Sequence, residues 1–228
     1  MPGKMLQTDE CFIKSLFPFG FLINSHKLLI KTAVLLMNII ELIQKRRSIR
    51  KFRQEMIPFS KLTHIVDSGR LAPTARNLQP LEFVVVDQPD LVKSIFELTS
   101  WAGYLEKDQG RPGSGEEPVA FIIVLVRRDC QSQWTGHDSG AAVENMILSA
   151  LESGIGSCWL GSIQRKQTAK VLALPDSFAI DSALALGYPA ETPVTVPMTD
   201  SVKYFKDKDG ILNVPKRSLQ DVMHHNHF

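Results

Sequence analysis

Cysteine is scarce: three residues, Cys11, Cys130 and Cys158, in a chain of 228. None forms a CxxC pair, and an odd number so widely spaced argues against a disulfide framework or a zinc site. A reducing, cytoplasmic compartment fits that usage. Excess charge is also missing. Lys+Arg total 26 against 24 for Asp+Glu, a net charge of +2, so the molecule as a whole carries little field for a strongly polyanionic partner. There is no clean apolar run of the roughly 20 residues a spanning helix needs. Pro18 and Gly20 break the stretch from Phe17 to Ile23, and His26, Lys27 and Lys31 interrupt the next one. A secretory leader would want an unbroken apolar segment followed by small residues, which is not found either. Residues 1–36 are therefore read as an appendage: a disordered or upstream extension with Met37 as an alternative start, favoured over a membrane-surface helix. What the chain does have is ordinary globular composition, 44% hydrophobic and 22% charged. That is enough apolar material for a core, in a length that suits one domain (residues 37–228) and its appendage.

From Met37 onward the pattern is regular. Ile39, Ile40, Leu42 and Ile43 mark one helix face. Ser60 can cap a second helix that turns Leu62, Ile65, Val66 and Leu71 inward and stops at Pro73. Leu81 to Val86 reads as a strand, and Pro89 opens a helix carrying Leu91, Ile95, Phe96 and Leu98. Residues 104–118 are rich in glycine, proline and charge and predict a loop. Val119 to Val126 is apolar throughout, as in a strand buried on both faces. A long helix runs from an Asp138 cap to Glu152 and closes at Gly154. A strand from Gly156 to Gly161, a helix from Gln164 to Leu172, a strand from Ala183 to Gly187 and a last helix from Leu219 to His224 complete the reading. The fold class is α+β, with about four core strands and more helix than strand.

Three segments carry candidate chemistry. The first runs from Lys45 to Arg53, with six basic residues in nine and no acid. Without those six the chain has 20 basic against 24 acidic residues, so the positive charge is concentrated here. Arginine forks and the Ser48 hydroxyl suit a phosphate. The same cluster also reads as a solvated helix end, or as part of a nucleic-acid surface. The second, Ala72 to Pro80, is a turn with two prolines, Thr74, Asn77 and Gln79. Its carboxamides both donate and accept hydrogen bonds, as the edge of a heteroaromatic ring requires; equally, it reads as an Asx-type turn. In the third, Gly140, Ala141 and Ala142 open a helix to close packing, and Gly156 and Gly161 let a backbone approach a flat ligand. Ala141, Ala142, Met146, Ile147, Ala150 and Leu151 are core on any reading.

Together the three segments, in this order and spacing, resemble the FMN-dependent nitroreductase family. The resemblance spans Met37 to Phe228 and rests on residues 46–52, 72–80 and 154–161, with Pro215 to Leu219 matching the family's close. It implies a central, mostly antiparallel sheet flanked by helices, in a homodimer with FMN at the interface. By the same resemblance, Arg46, Arg47 and Ser48 bind the phosphate and ribityl end, and Arg50 faces the N1 and C2 carbonyl side of the ring. Asn77 bonds the ring near its reactive edge, from the other subunit if the pairing demands it, with Thr74 and Gln79 beside it. Trp159, Leu160 and Gly161 pass the ring, and Arg217 with Lys216 returns to the phosphate. The implied activity moves hydride from NADH or NADPH through flavin N5 to a nitroaromatic, quinone or similar acceptor in a two-step cycle. No side chain is implied as a nucleophile, because the cofactor carries the chemistry. Leu81 stands where the family often has an aromatic, and Thr74 where it often has serine.

Two other readings stay open at this point. One is a basic module for nucleic acid or anionic membrane, which would bind with steep salt dependence. The other is a flavoenzyme of the same fold with different chemistry, such as dehalogenation or dehydrogenation. His224, His225 and His227 are read as a surface tail rather than a metal site, Cys158 as a packing residue, and His137 as a candidate helix cap. Asp67 and Glu82 are read as solvated. The 104–118 loop is a candidate cover over the acceptor.

Overall fold

A computed structural model describes residues 38–228; the reading of residues 1–36 lies outside the described residues. At its centre is the apolar run that begins at Val119, which forms β3 (Ala120–Arg127). Alternate side chains of β3 leave to opposite faces, so both faces must be covered. Ile122 and Val124 join one core cluster, while Phe121, Ile123 and Leu125 join the other.

β2 (Leu81–Val86) pairs antiparallel with one edge of β3, and β5 (Phe178–Pro189) with the other. The far edge of β5 receives β4 (Gly156–Leu160) and the two-residue β1 (Phe52–Arg53), also antiparallel. The sheet thus has five strands, each pairing antiparallel.

On one face lie α2 (Phe59–Arg70) and α5 (Thr135–Glu152). Leu62 and Ile65 of α2 and Val143, Met146 and Ala150 of α5 are fully buried there, each large side chain contributing roughly 1.5–3 kcal/mol. On the other face, α3 (Pro89–Glu97) buries Val92, Ile95 and Phe96. There α6 (Arg165–Val171) packs through Ala169. The remaining helices are short: α1 (Ile39–Lys45) and α4 (Lys107–Gly110). Gly154, at φ +75°, ends α5 as expected.

Several expectations are corrected. Of the α1 face only Leu42 is buried; Ile39, Ile40 and Ile43 are exposed. α2 begins at Phe59 behind Pro58 without a side-chain cap, so Ser60 sits inside its first turn, and Leu71 lies exposed at its end. α5 begins at Thr135, placing His137 within the helix, against Trp134, and Asp138 in its first turn. The strand expected over 183–187 is 12 residues long. A second sheet has no counterpart in the sequence pattern: β6 (Val194–Pro197), β8 (Leu212–Lys216) and β7 (Phe205–Lys206), with β8 central and parallel to β6. Residues 219–224 form turns rather than a helix. Six residues are too few to stabilise a helix without packing, and Leu219, Val222 and Met223 are exposed.

Candidate active site

The basic segment lies along the outer edge of β4. Ser48 bridges Ser157, and the Ile49 N–H donates to the Ser157 carbonyl at 2.9 Å. Two buried side chains seat it. Ile49 packs onto Gly156 and Phe52 onto Gly187, where an added Cβ would come within 2.9 Å of Ile49 Cγ1 and 2.7 Å of Phe52 Cδ1. The close approach at Gly156 serves a side chain of the chain itself, and Gly156 also lines the cleft that Arg46 and Arg47 border. Gly161 has nothing within 4 Å of an added Cβ and remains open.

Arg50 projects from this segment. Its backbone N–H donates to Glu191 Oε1, and its guanidinium lies 5.0 Å from the Tyr204 ring centroid. Its Nε is buried and has no hydrogen-bond partner. Buried donors are nearly always satisfied, and a charged one left alone is costly, so this atom is a place for an acceptor. Arg50 borders a cleft of about 240 Å³ lined also by Trp101, Gly103, Cys158, Trp159, Leu160 and Gly161. Along that wall Trp159 is 44% exposed, whereas the other four residues of β4 are buried.

Arg46 and Arg47 line a neighbouring cleft of about 190 Å³ with Lys45, Ser157 and Thr192. Arg47 Nη1 donates to the Arg46 carbonyl, and Arg46 lies 3.7 Å from Glu144. Burial, and secondarily the charge of Arg46, lowers the pKa of Arg47. An anion placed there would relieve both. The segment is not a free basic face: Lys51 pairs with Glu116 at 2.8 Å, and Arg53 lies 3.8 Å from Glu55.

The structure thus brings the first and third segments together: Arg46, Arg47, Ser48 and Arg50 beside Trp159, Leu160 and Gly161. It does not join the others to them within one chain. Thr74, Asn77 and Gln79 precede β2, at the sheet edge opposite β4. There the Gln79 N–H donates to Thr74 Oγ1 at 3.1 Å, and the Ala75 N–H to Asp138 Oδ1 at 2.8 Å. Arg76, Asn77 and Gln79 have φ of 55°, 54° and 48°. Left-handed backbone at non-glycine residues costs of order 1–3 kcal/mol each and persists only where surroundings impose it. Asn77 and Gln79 are exposed, presenting their carboxamides outward. Arg217 Nη2 donates to the Asp221 carbonyl in a local turn. Among the described residues no hydrogen bond joins Lys216 or Arg217 to Arg46 or Arg47.

Cys158, on the cleft wall, is buried, and burial pushes its thiol up to about 11; that agrees with a packing role. Sequence reasoning misses Glu191, Tyr204 and the pair Asp181–Ser182, and reads Asp138 as a helix cap where it accepts from the Ala75 N–H. Each acts from a distant part of the chain through one side chain, so no local pattern marks it. Among the described residues no cluster suited to a metal ion occurs, and no helix is long and apolar enough to cross a membrane.

The antiparallel five-stranded sheet covered by helices on both faces defines an α+β architecture, and similarity to known proteins gives the family. The nitroreductase family model matches residues 43–188, and the chain belongs to that family. It is 30% identical over 156 residues to an Archaeoglobus fulgidus protein provisionally named NADH dehydrogenase/NAD(P)H nitroreductase, covering 67% of this chain and 86% of that one. It is 27% identical over 173 residues to the NADPH-flavin oxidoreductase of Vibrio harveyi, covering 70% of this chain and 69% of that one. A crystal structure from Desulfovibrio desulfuricans, described as a nitroreductase in complex with FMN, superposes with a TM-score of 0.60 at 25% identity. That match covers 84% of this chain and 98% of the other.

Proposed function

We propose that this protein is an FMN-dependent oxidoreductase passing hydride from NADH or NADPH to a small oxidised acceptor, a nitroaromatic, quinone or similar compound. Donor and acceptor visit the same cleft in turn. The observation that carries the reading is the buried, unpartnered Nε of Arg50, a residue lining the same cleft as Cys158, Trp159 and Leu160 of β4. Bound FMN would supply the two-electron chemistry, accepting and releasing hydride at N5.

The chain's own residues then have defined tasks. Arg46, Arg47 and Ser48 hold the phosphate through charge-assisted hydrogen bonds. Arg50 donates to the N1 and C2 carbonyl edge and stabilises negative charge developing there. Trp159, Leu160 and Gly161 border the ring, and the uncrowded Gly161 lets backbone come close. Thr74, Asn77 and Gln79 complete the polar edge from a second copy of the chain, and Lys216 and Arg217 reach the phosphate.

A homodimer is supported by the surface it would cover. Ile39, Ile40 and Ile43 stand exposed on α1, and Gly140 on α5 has open space where a Cβ would be. A cytoplasmic location agrees with Cys130 and Cys158 both being free. The test is a visible spectrum of the purified protein followed by anaerobic titration with NADH and NADPH. A yellow protein bleached by one of the nucleotides and recoloured by a nitroaromatic is expected. A colourless protein that FMN does not reconstitute overturns the proposal.

A further inference from the structure

Trp159 is the exposed residue of an otherwise buried strand, yet its indole is not free. Its Nε1–H donates to Ser182 Oγ at 2.7 Å. The Ser182 hydroxyl donates to Asp181 Oδ2 at 2.8 Å, and the same oxygen accepts from Ser139 Oγ, in the second turn of α5, at 2.7 Å. The chemistry of the groups permits one arrangement only. An ionised carboxylate accepts, so both serines must donate to it, and an indole N–H can only donate, so Ser182 must accept from it. A chain ending in a charged acceptor is stronger than its neutral links alone. Ser139 and Ser182 are buried, which shields these bonds from water.

The backbone around the same corner is tied down by one arginine. Arg165 donates to the carbonyls of Ile180 at 3.0 Å, Asp181 at 2.6 Å and Gly161 at 3.2 Å. The indole and the Gly161 turn thus share one anchor on β5.

We infer that Ser182 and Asp181 are positioning residues that lock the Trp159 ring as a fixed wall of the cleft headed by Arg50, and so set which acceptors reach it. This rests on the function proposed above. A wall held by a directional bond admits flat acceptors of one width; a wall free to turn does not discriminate.

The test is a double-mutant cycle with Ser182→Ala and Trp159→Phe on the FMN-loaded protein. A residue acting through another loses its effect once the other is gone. Ser182→Ala is expected to change the KM for p-nitrobenzoate relative to a naphthoquinone by about fivefold, the scale of one neutral hydrogen bond, with kcat much less altered. In the Trp159→Phe background the change vanishes. The Trp159 contribution to emission, taken as the difference between each protein and its Trp159→Phe counterpart, becomes more accessible to acrylamide in Ser182→Ala. Asp181→Asn, which weakens the acceptor without removing side-chain volume, shifts both readouts in the same direction. An unchanged acceptor ratio, a shift that persists without Trp159, or unaltered quenching overturns the inference. A protein that never takes FMN overturns the proposed function instead. The quenching comparison, made on the protein without flavin, then still decides whether Ser182 holds the indole.

Discussion

Replacing Arg50 by methionine should separate stability from function in opposite directions. In the protein without flavin, the guanidinium Nε is buried and unpartnered, and such a group destabilises its own fold by about 1–3 kcal/mol. Against that stands its stacking on Tyr204 at 5.0 Å, worth roughly 0.5–2 kcal/mol. The backbone bond to Glu191 survives the change. Arg50→Met should therefore leave the flavin-free protein within about 1 kcal/mol of the parent, or slightly more stable. With FMN bound as proposed the balance should reverse, because a charge-assisted hydrogen bond worth about 1.5–3 kcal/mol would be lost. If that bond strengthens as the ring is reduced, the two-electron potential should fall by about 30–60 mV, since 30 mV corresponds to roughly 1.4 kcal/mol for a two-electron couple. Affinity should fall about tenfold or more. Urea unfolding of the flavin-free protein and a dye-equilibrated potential of the loaded protein measure the two quantities. A large loss of flavin-free stability together with an unchanged potential would refute the reasoning, because Arg50 would then be a structural brace.

Gly187→Ala should cost about 1–3 kcal/mol by overpacking, since the new Cβ meets the Phe52 ring at 2.7 Å. Thermal unfolding with and without FMN should show it, along with weakened FMN binding as the 49–52 segment is displaced. Cys158 should resist iodoacetamide at about pH 7.5 in the native protein, because burial raises its thiol to about 11, while the less buried Cys130 reacts faster; site-resolved mass spectrometry reads both. The hydrogen bond from Lys51 holds the Glu116 carboxyl below its usual range. A depressed carboxylate stabilises the fold above its unfolded pKa and loses that contribution as pH falls through the folded value. Lys51→Met should therefore flatten a small acid-side loss of stability by slightly lowering stability at neutral pH and leaving the acid value unchanged, a small effect because the ion pair is exposed. A full-sized acid limb in that variant would count against the assignment.

The legible elements are those whose burial has a simple period. The strand at 81–86 agrees residue for residue, the run from Val119 becomes the doubly buried β3, and Pro89 opens its helix. The sequence pattern shows less than half of β5 because Asp181 and Ser182 interrupt its apolar run. Those two polar residues are satisfied by Ser139 and Trp159, partners 42 and 23 positions away. Apolar spacing at 219, 222 and 223 suggests a last helix, but no packed surface receives it.

Composition and periodicity determined the α+β class, and the order of three motifs carried the family resemblance that implies a sheet between helices. Local patterns carry that much because they say which side of an element avoids water. Tertiary structure alone decided that Arg50 carries an unsatisfied buried donor, that Ile49 packs onto Gly156, and that the carboxamide turn stands at the far edge of the sheet within one chain. Satisfying a buried polar group takes a partner in space, and chain separation says nothing of where that partner lies until the strands have paired.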